Sequence, residues 1–127
     1  MVSVFKQSLY RNPGIEIRRS DKNGWGIFAR RNIKKHSLLE EVPIIVVDSE
    51  KLVDVEECLK YSYGFSDTQN MIGLGFAGLY NHSFEPNADW RKDHINMTME
   101  HFSIRDIVAG EEILINYGEE NIVFDVK

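Results

Sequence analysis

The sequence predicts a small α+β domain in which strands predominate. Apolar and polar residues alternate over several short stretches, glycine-rich turns separate these stretches, and one segment shows helical spacing. With 127 residues, of which 43% are hydrophobic and 28% charged, the chain can bury one core without disulfides or a metal. We therefore expect a single domain over residues 1–127.

The first half of the chain begins with two strands and two turns. Residues 12–14, Asn-Pro-Gly, form a turn that leads into an alternating strand at residues 15–18. A second turn at residues 21–24 precedes a strand at residues 25–29. Residues 38–47 are rich in Leu, Val and Ile and predict a further strand, which Pro43 limits to an edge or a break.

One helix and two strands complete the prediction. Ser49 is a plausible N-cap for a helix at about residues 50–60, because the apolar residues behind it have helical spacing: Leu52, Val55 and Leu59. Glycines interrupt residues 71–80, whereas the alternation from Ile95 to Glu100 predicts a half-buried strand. The last strand is expected at residues 112–117, after a turn at Gly110.

Charge and cysteine content exclude several classes of protein. A net charge of −5 argues against direct nucleic-acid binding and suits a basic partner such as a Lys/Arg-rich protein tail. Cys58 is the one cysteine, and no apolar run approaches the roughly 18 residues of a membrane span. We expect an intracellular protein without membrane contact. Three of the four histidines lack metal-ligand spacing, so no metal is expected: His36, His94 and His101.

Two segments place polar side chains in apolar surroundings. Residues 79–87 read LYNHSFEPN, and residues 110–118 read GEEILINYG. A buried Asn, His or Ser is costly unless each polar atom has a partner. Two such segments closing on one another therefore predict a preformed pocket.

Together with Gly24-Trp25-Gly26, these segments resemble the motifs of the SET domain family. They follow the family order G-x-G, N-H-S-x-x-P-N and G-E-E-[IL]-x-x-x-Y over residues 24–118, and the short stand-alone viral and bacterial members are most similar. The resemblance implies a predominantly β, SET-domain (β-clip) fold of small sheets with a C-terminal pseudoknot. It places the motif-bearing core at about residues 15–118, without a zinc-binding segment before it or a Cys-rich one after it.

The resemblance also implies an activity. Family members are S-adenosylmethionine-dependent protein-lysine N-methyltransferases, so we expect a lysine of a basic protein as substrate, with a histone tail as one candidate and a nuclear site of action if it is a histone. The amine must be neutral to attack, although free lysine titrates near 10.4. An aromatic channel beside the sulfonium lowers that pKa without a metal or a strong base.

Family positions suggest the site residues. Tyr117 is expected to be catalytic, with Tyr61 beside the target lysine. Six residues, Tyr117 among them, are expected to bind the cofactor: Gly24, Trp25, Gly26, Asn81, His82 and Tyr117. The lysine channel is expected to include aromatic residues: Tyr61, Tyr63, Trp90 and Phe124. Which of Tyr61 and Tyr63 lines it stays open, and a homodimer is the alternative to closure by the C-terminal residues.

The carboxylates are assigned minor roles. Adjacent strand residues point to opposite faces, so Glu111 and Glu112 cannot share one site; we expect Glu112 to be structural and Glu111 solvated. Glu40 and Glu41 are candidates for an acidic rim around a basic peptide. Two other functions remain as alternatives: a catalytically weak reader of lysine peptides, and a related β-rich fold that binds an unrelated small ligand.

Overall fold

The computed structural model describes residues 6–22 and 24–117, which form two small sheets. The described strands are β1 (Ile15–Arg19), β2 (Trp25–Ala29), β3 (Leu38–Asp48), β4 (Tyr63–Ser66), β5 (Gln69–Gly73), β6 (Asn81–His82), β7 (Ala88–Asp93), β8 (Thr98–Ser103) and β9 (Glu112–Ile115). The described helices are α1 (Ser49–Leu52), α2 (Glu56–Leu59) and one 3₁₀ turn at Ala77–Leu79. The expected strand-dominated α+β class is confirmed.

The two sheets differ in how their strands are ordered. In the first, the order is β1-β2-β9-β6, with β1, β2 and β9 antiparallel and β6 parallel to β9. In the second, the antiparallel order is β4-β5-β3-β8-β7. Fully buried side chains from both sheets share one core, among them Ile27, Leu39, Met71, Met99 and Ile113.

β3 is one continuous strand, and the break expected at Pro43 is a change of partner strand rather than an end of β3. Residues 38–43 face β8, and residues 44–48 face β5. Pro43 lies at this changeover, opposite Thr98. Because the missing N–H falls where one partner strand replaces the other, each ladder continues on its own side of β3.

The single helix expected at about residues 50–60 is instead two four-residue helices. The helix is interrupted between Leu52 and Glu56, a segment that contains the β-branched residues Val53 and Val55, which have modest helix propensity. Of the apolar residues at helical spacing, Leu52 is buried, while Val55 and Leu59 are exposed. Without packing along that face, a longer helix gains little stability.

The predicted strand at residues 95–100 begins later than its alternation suggests. Ile95 and Met97 lie in the turn between β7 and β8, where Ile95 is 66% exposed and Met97 has a φ of 56°. β8 starts at Thr98. The last strand ends at Ile115, two residues before the expected Tyr117. Tyr117 is thereby outside the ladder.

β9 is enclosed by two different segments. β2 pairs with one side of it, and the segment 81–87 covers the other. Asn87 acts like a short partner strand: its Nδ2 donates to the Glu112 carbonyl at 2.9 Å, and its Oδ1 accepts from the Leu114 N–H at 2.7 Å. The Ser83 N–H donates to the Ile115 carbonyl at 2.9 Å. This is the arrangement that the expected pseudoknot requires.

Candidate active site

Two cavities adjoin beside the first sheet. The larger has a volume of 460 Å³ and is lined by Gly24, Trp25, Lys60, Tyr61, Gly78, Leu79, Asn81 and Tyr117. The smaller has a volume of 210 Å³ and is lined by Leu59, Lys60, Tyr61, Ser62, Tyr63, Gly64, Gly78, Tyr80, Trp90 and Tyr117. We call them the cleft and the channel. Four residues line both cavities, so the two spaces meet beside them: Lys60, Tyr61, Gly78 and Tyr117.

The expected cofactor residues divide into two groups. Lining the cleft are Gly24, Trp25, Asn81 and Tyr117. Gly26 and His82 are not among the cleft's lining residues. Gly26 instead lies beside the Asn81 side chain, and His82 supports Tyr117. Three sequence motifs far apart in the chain therefore converge on one cleft, because β9 brings β2 and β6 together.

Gly26 leaves room for a hydrogen-bonded carboxylate. A Cβ at this position would lie 2.2 Å from Glu112 Oε2 and 2.9 Å from Asn81 Nδ2. Glu112 Oε2 accepts from Asn81 Nδ2 at 2.7 Å, and its Oε1 accepts from the Ser20 hydroxyl at 2.8 Å. The structural role expected for Glu112 is thus a specific one: it holds the Asn81 side chain.

The Asn81 amide presents an acceptor to the cleft. Its Nδ2 group donates to Glu112 and, at 3.4 Å, to the Trp25 carbonyl, which accounts for both of its N–H bonds. The group that remains is Oδ1, which can only accept. Asn81 is therefore equipped to bind a donor such as an ammonium group.

His82 supports Tyr117 through its ring. The backbone N–H of Tyr117 donates to His82 Nδ1 at 2.9 Å, and the two rings are 5.1 Å apart. Because Nδ1 accepts, the neutral imidazole carries its proton on Nε2. The side chain thus fixes the chain where it leaves β9.

The hydroxyl of Tyr117 has a defined orientation. It donates to the Tyr80 carbonyl at 2.7 Å, which leaves the phenol oxygen as an acceptor. Burial raises the pKa of Tyr117, and the neighbouring Tyr61 and Glu112 raise it further. Tyr117 is accordingly a neutral phenol at physiological pH, suited to orienting a group by hydrogen bonding.

Glu40 fixes the segment that carries this carbonyl. Its Oε2 accepts from the Phe76 N–H at 2.9 Å, and its Oε1 accepts from the Tyr80 hydroxyl at 3.3 Å. Arg11 donates to Oε2 at 3.3 Å. Glu40 is 1% exposed, and burial raises the pKa of its carboxyl despite these partners.

The acidic rim expected from Glu40 and Glu41 is therefore wrong. Glu40 is buried, and Glu41 is partly buried and forms an ion pair with Lys6. Period-two alternation cannot show which carboxylate turns into the core, since that depends on β3 being covered on both sides. Glu111 also has a local role, because its Oε1 accepts from the Val108 N–H at 2.7 Å.

A second buried pair lies behind the channel. Tyr63 donates its hydroxyl proton to the Ala77 carbonyl at 2.6 Å, so His101 Nε2–H must donate to the Tyr63 oxygen at 3.0 Å. His101 is fully buried and stacks on Tyr80 at 4.1 Å. Burial lowers the pKa of His101 to about 3, and the ring is neutral.

The channel residues differ in what they offer. Tyr61 is 51% exposed and lines both cavities, whereas Tyr63 lines the channel alone with its hydroxyl already bonded. Trp90 is buried and packs edge-on against Tyr63 at 4.7 Å. Phe124 lies outside the described residues. Both tyrosines therefore line the channel: Tyr61 lies at its junction with the cleft, and Tyr63 lies in its wall.

Two further searches cover the described part of the chain. Within residues 6–22 and 24–117, no three His, Cys, Asp or Glu side chains are grouped as they would be around a metal ion. In the same ranges, the helices are all too short or too polar to cross a membrane.

Comparison with known proteins identifies the family. The sequence profile of the SET domain matches residues 24–118. A histone-lysine N-methyltransferase of Schizosaccharomyces pombe, H3 lysine-37 specific, is 30% identical over 112 residues, which are 86% of this chain and 76% of that protein. The mouse histone-lysine N-methyltransferase NSD3 is 30% identical over 131 residues, covering 89% of this chain but 8% of its own length.

A solved structure gives the same result for the fold. A Plasmodium falciparum protein described as a histone methyltransferase superimposes with a TM-score of 0.71 at 30% identity, over 85% of this chain and 96% of that one. The family match and these relatives assign the chain to the protein-lysine methyltransferases. The chain belongs to the SET domain family.

Proposed function

We propose that this chain transfers methyl groups to a lysine of a histone tail, with Tyr117 as the catalytic residue. The observation that carries the proposal is the junction of the cleft and the channel at Tyr61 and Tyr117. A donor in the cleft and a lysine in the channel would meet at this junction. Placement of this kind accounts for much of the acceleration in bimolecular reactions.

The cleft suits S-adenosylmethionine, the methyl donor of the family. When bound, it supplies a methyl group on a sulfonium. The Asn81 Oδ1 acceptor suits the ammonium of its amino-acid end, and the half-exposed Trp25 ring suits a flat or cationic portion of the ligand. Gly24, with a φ of 48°, lets the turn approach closely without a side chain. The His82 backbone is proposed to contact the adenine.

The channel favours a neutral amine. Half of its lining residues are aromatic, and no carboxylate of the described chain lines it. Desolvation among these rings lowers the pKa of an entering lysine, and the cation of Lys60 at the wall acts in the same direction. The lysine would lose its proton to water before it is enclosed, so no strong base is required.

Tyr117 is proposed to orient that amine. Its own proton is directed to the Tyr80 carbonyl, so its oxygen is free to accept from the amine. Tyr61 would hold the lysine from the opposite wall, where aromatic faces attract methylammonium groups by about 0.5–2 kcal/mol. Phe124 is proposed to complete the channel, with a second subunit as the alternative.

Charge near the channel suits a basic substrate. Acidic residues lie in and beside the short helices that precede Tyr61: Asp48, Glu50, Asp54 and Glu57. Two of them are paired with lysines, Asp48 with Lys51 and Glu57 with Lys60. Relatives named as histone-lysine methyltransferases support a histone as the substrate and a nuclear site of action.

The test is transfer of labelled methyl from S-adenosylmethionine to core histones by the parent chain and by Tyr117→Phe. We expect a labelled histone band that falls by roughly a hundredfold or more in the variant, as for other lost orienting donors and acceptors. Tyr10→Phe is the matched control, because it removes one hydroxyl from an exposed tyrosine outside both cavities.

Two results would contradict the proposal. Equal transfer by Tyr117→Phe and the parent would remove Tyr117 from catalysis. Binding of S-adenosylmethionine without labelling of any histone would leave the fold assignment intact and favour another substrate, or a reader of lysine peptides.

A further inference from the structure

The charges of this acidic chain are segregated. Residues 16–35 contain seven of the fifteen Lys and Arg residues but two of the twenty acidic ones, a net charge of +5 against −10 for all remaining residues. The whole-chain charge of −5, on which the expectation of no direct nucleic-acid contact was based, therefore averages two opposite regions.

The seven cations lie on one hairpin and the loop that follows it. All are exposed: Arg18, Arg19, Lys22, Arg30, Arg31, Lys34 and Lys35. We call this set the basic face, although Arg19, adjacent to Arg18 on β1, points to the other side of the strand and lies 4.3 Å over the Trp25 ring. β1 and β2 form the hairpin, and the Ile33–Ile107 bridge anchors the loop beside exposed Arg105, which adds a further cation.

Few carboxylates neutralise this face. Glu16 lies 3.9 Å from Arg18 and 3.6 Å from Arg30, so one carboxylate serves two guanidinium groups. Among the described residues, the other five cations have no carboxylate within 4 Å. Three acidic residues border the face: Asp21 at the hairpin turn, Asp106, which accepts from the Lys35 backbone N–H at 2.8 Å, and Glu111, whose Oε2 lies 3.8 Å from Arg105 Nη1.

We propose that the basic face docks on the phosphate backbone of duplex DNA. Its five-residue strands extend about 16 Å, which corresponds to about five base pairs at 3.4 Å per phosphate along each strand. Four of the seven cations are arginines, whose planar guanidinium groups bind phosphate through two hydrogen bonds. A linear phosphate array matches this extended face better than a compact acidic site does.

The acidic remainder of the chain gives the contact a direction. It is repelled by DNA while the hairpin is attracted, so the domain would be held with the hairpin toward the duplex. The choice of DNA rests in part on the proposed function, because histones hold their tails beside wrapped DNA. The contact itself can be tested without any methyl transfer.

The first experiment measures binding of the full chain to a short DNA duplex at several salt concentrations. The variant Arg31→Gln/Lys34→Gln/Lys35→Gln removes three charges outside both cavities. If each contacts a phosphate, the slope of log K against log salt should fall by about 2.7, with roughly tenfold or greater loss of affinity at low salt. Lys34→Gln and Lys51→Gln form a matched single-charge pair, because Lys51 is exposed on α1.

Competition identifies the partner. Binding that duplex DNA displaces, and that poly-glutamate and anionic vesicles do not, supports the proposal; displacement by either of those competitors as readily as by DNA overturns it. A parent chain without salt-dependent binding, or a triple variant that binds like Lys51→Gln, also overturns it.

A second measurement separates this inference from the proposed function. The triple variant should methylate free histone-tail peptide at the parent rate but nucleosomes more slowly. Equal loss on both substrates would contradict a role in docking. Absence of methyl transfer by the parent would refute the proposed function and leave the DNA-binding result standing by itself.

Discussion

Gly26→Ala tests the arrangement that positions Asn81. The new Cβ would lie 2.2 Å from Glu112 Oε2, more than 1 Å inside an ordinary contact, so the carboxylate has to move. Moving it breaks two bonds, to Asn81 Nδ2 at 2.7 Å and to the Ser20 hydroxyl at 2.8 Å. Hydrogen bonds to a charged group contribute about 1.5–3 kcal/mol each, with the lower end appropriate to a half-buried carboxylate.

The expected loss is therefore about 2–4 kcal/mol of unfolding free energy, which lowers the Tm of a chain of this length by roughly 10 °C. Binding of S-adenosylmethionine should weaken by at least about tenfold, because Asn81 loses the partner that directs its Oδ1. Differential scanning calorimetry and titration calorimetry measure the two effects. Gly64→Ala is the matched control, since a Cβ there meets nothing within 4 Å. If Gly26→Ala resembled that control in both Tm and Kd, the assigned role of Glu112 would be refuted.

Two further predictions concern the buried polar groups. In Glu40→Gln, the new NH₂ group faces either the Phe76 N–H or the Tyr80 hydroxyl, so we expect about 1–3 kcal/mol of lost stability. We also expect a lower kcat, because the Tyr80 carbonyl that orients the Tyr117 hydroxyl shifts. A variant with the parent kcat would contradict this chain of contacts. For His101, whose pKa falls from 6.5 to about 3, only the unfolded chain binds a proton between those values. Stability should therefore fall as pH decreases through that window, and urea titrations of His101→Gln should show a pH slope smaller by about 1.4 kcal/mol per pH unit; an unchanged slope would be inconsistent with a buried neutral imidazole.

The β1–β2 hairpin and β9 could be predicted because local signals agree with the fold. Turn residues at Asn12-Pro13-Gly14 bound an alternating strand, and β2 begins and ends where its apolar pattern does. The helix expected at about residues 50–60 failed for the opposite reason. Its spacing is helical, but among the described residues Val55 and Leu59 are exposed, and periodicity does not show whether a partner face exists.

The motifs predict the site residues, and the structure shows where the described ones lie; their functional roles stay predictions. Tyr117 and Asn81 line the cleft as expected, whereas Gly26 and His82 act through the side chain and backbone that they support. The link between Glu112 and Gly26 follows from strand register: Glu112 lies opposite Phe28 in β2, two residues from Gly26. That register is known only once β9 is seen to pair with β2, and no local sequence signal predicts this pairing.

The sequence by itself determined the family, the order of the motifs and the residue types available for chemistry, because these depend on side-chain identity and spacing. Only the tertiary structure decided which carboxylates are buried, which backbone carbonyl orients the Tyr117 hydroxyl and where the cleft meets the channel. Those properties arise from pairings between distant segments, such as β9 between β2 and residues 81–87, and Glu40 beneath Phe76 and Tyr80. Contacts of this kind depend on how sheets close on one another, which no local pattern of residues encodes.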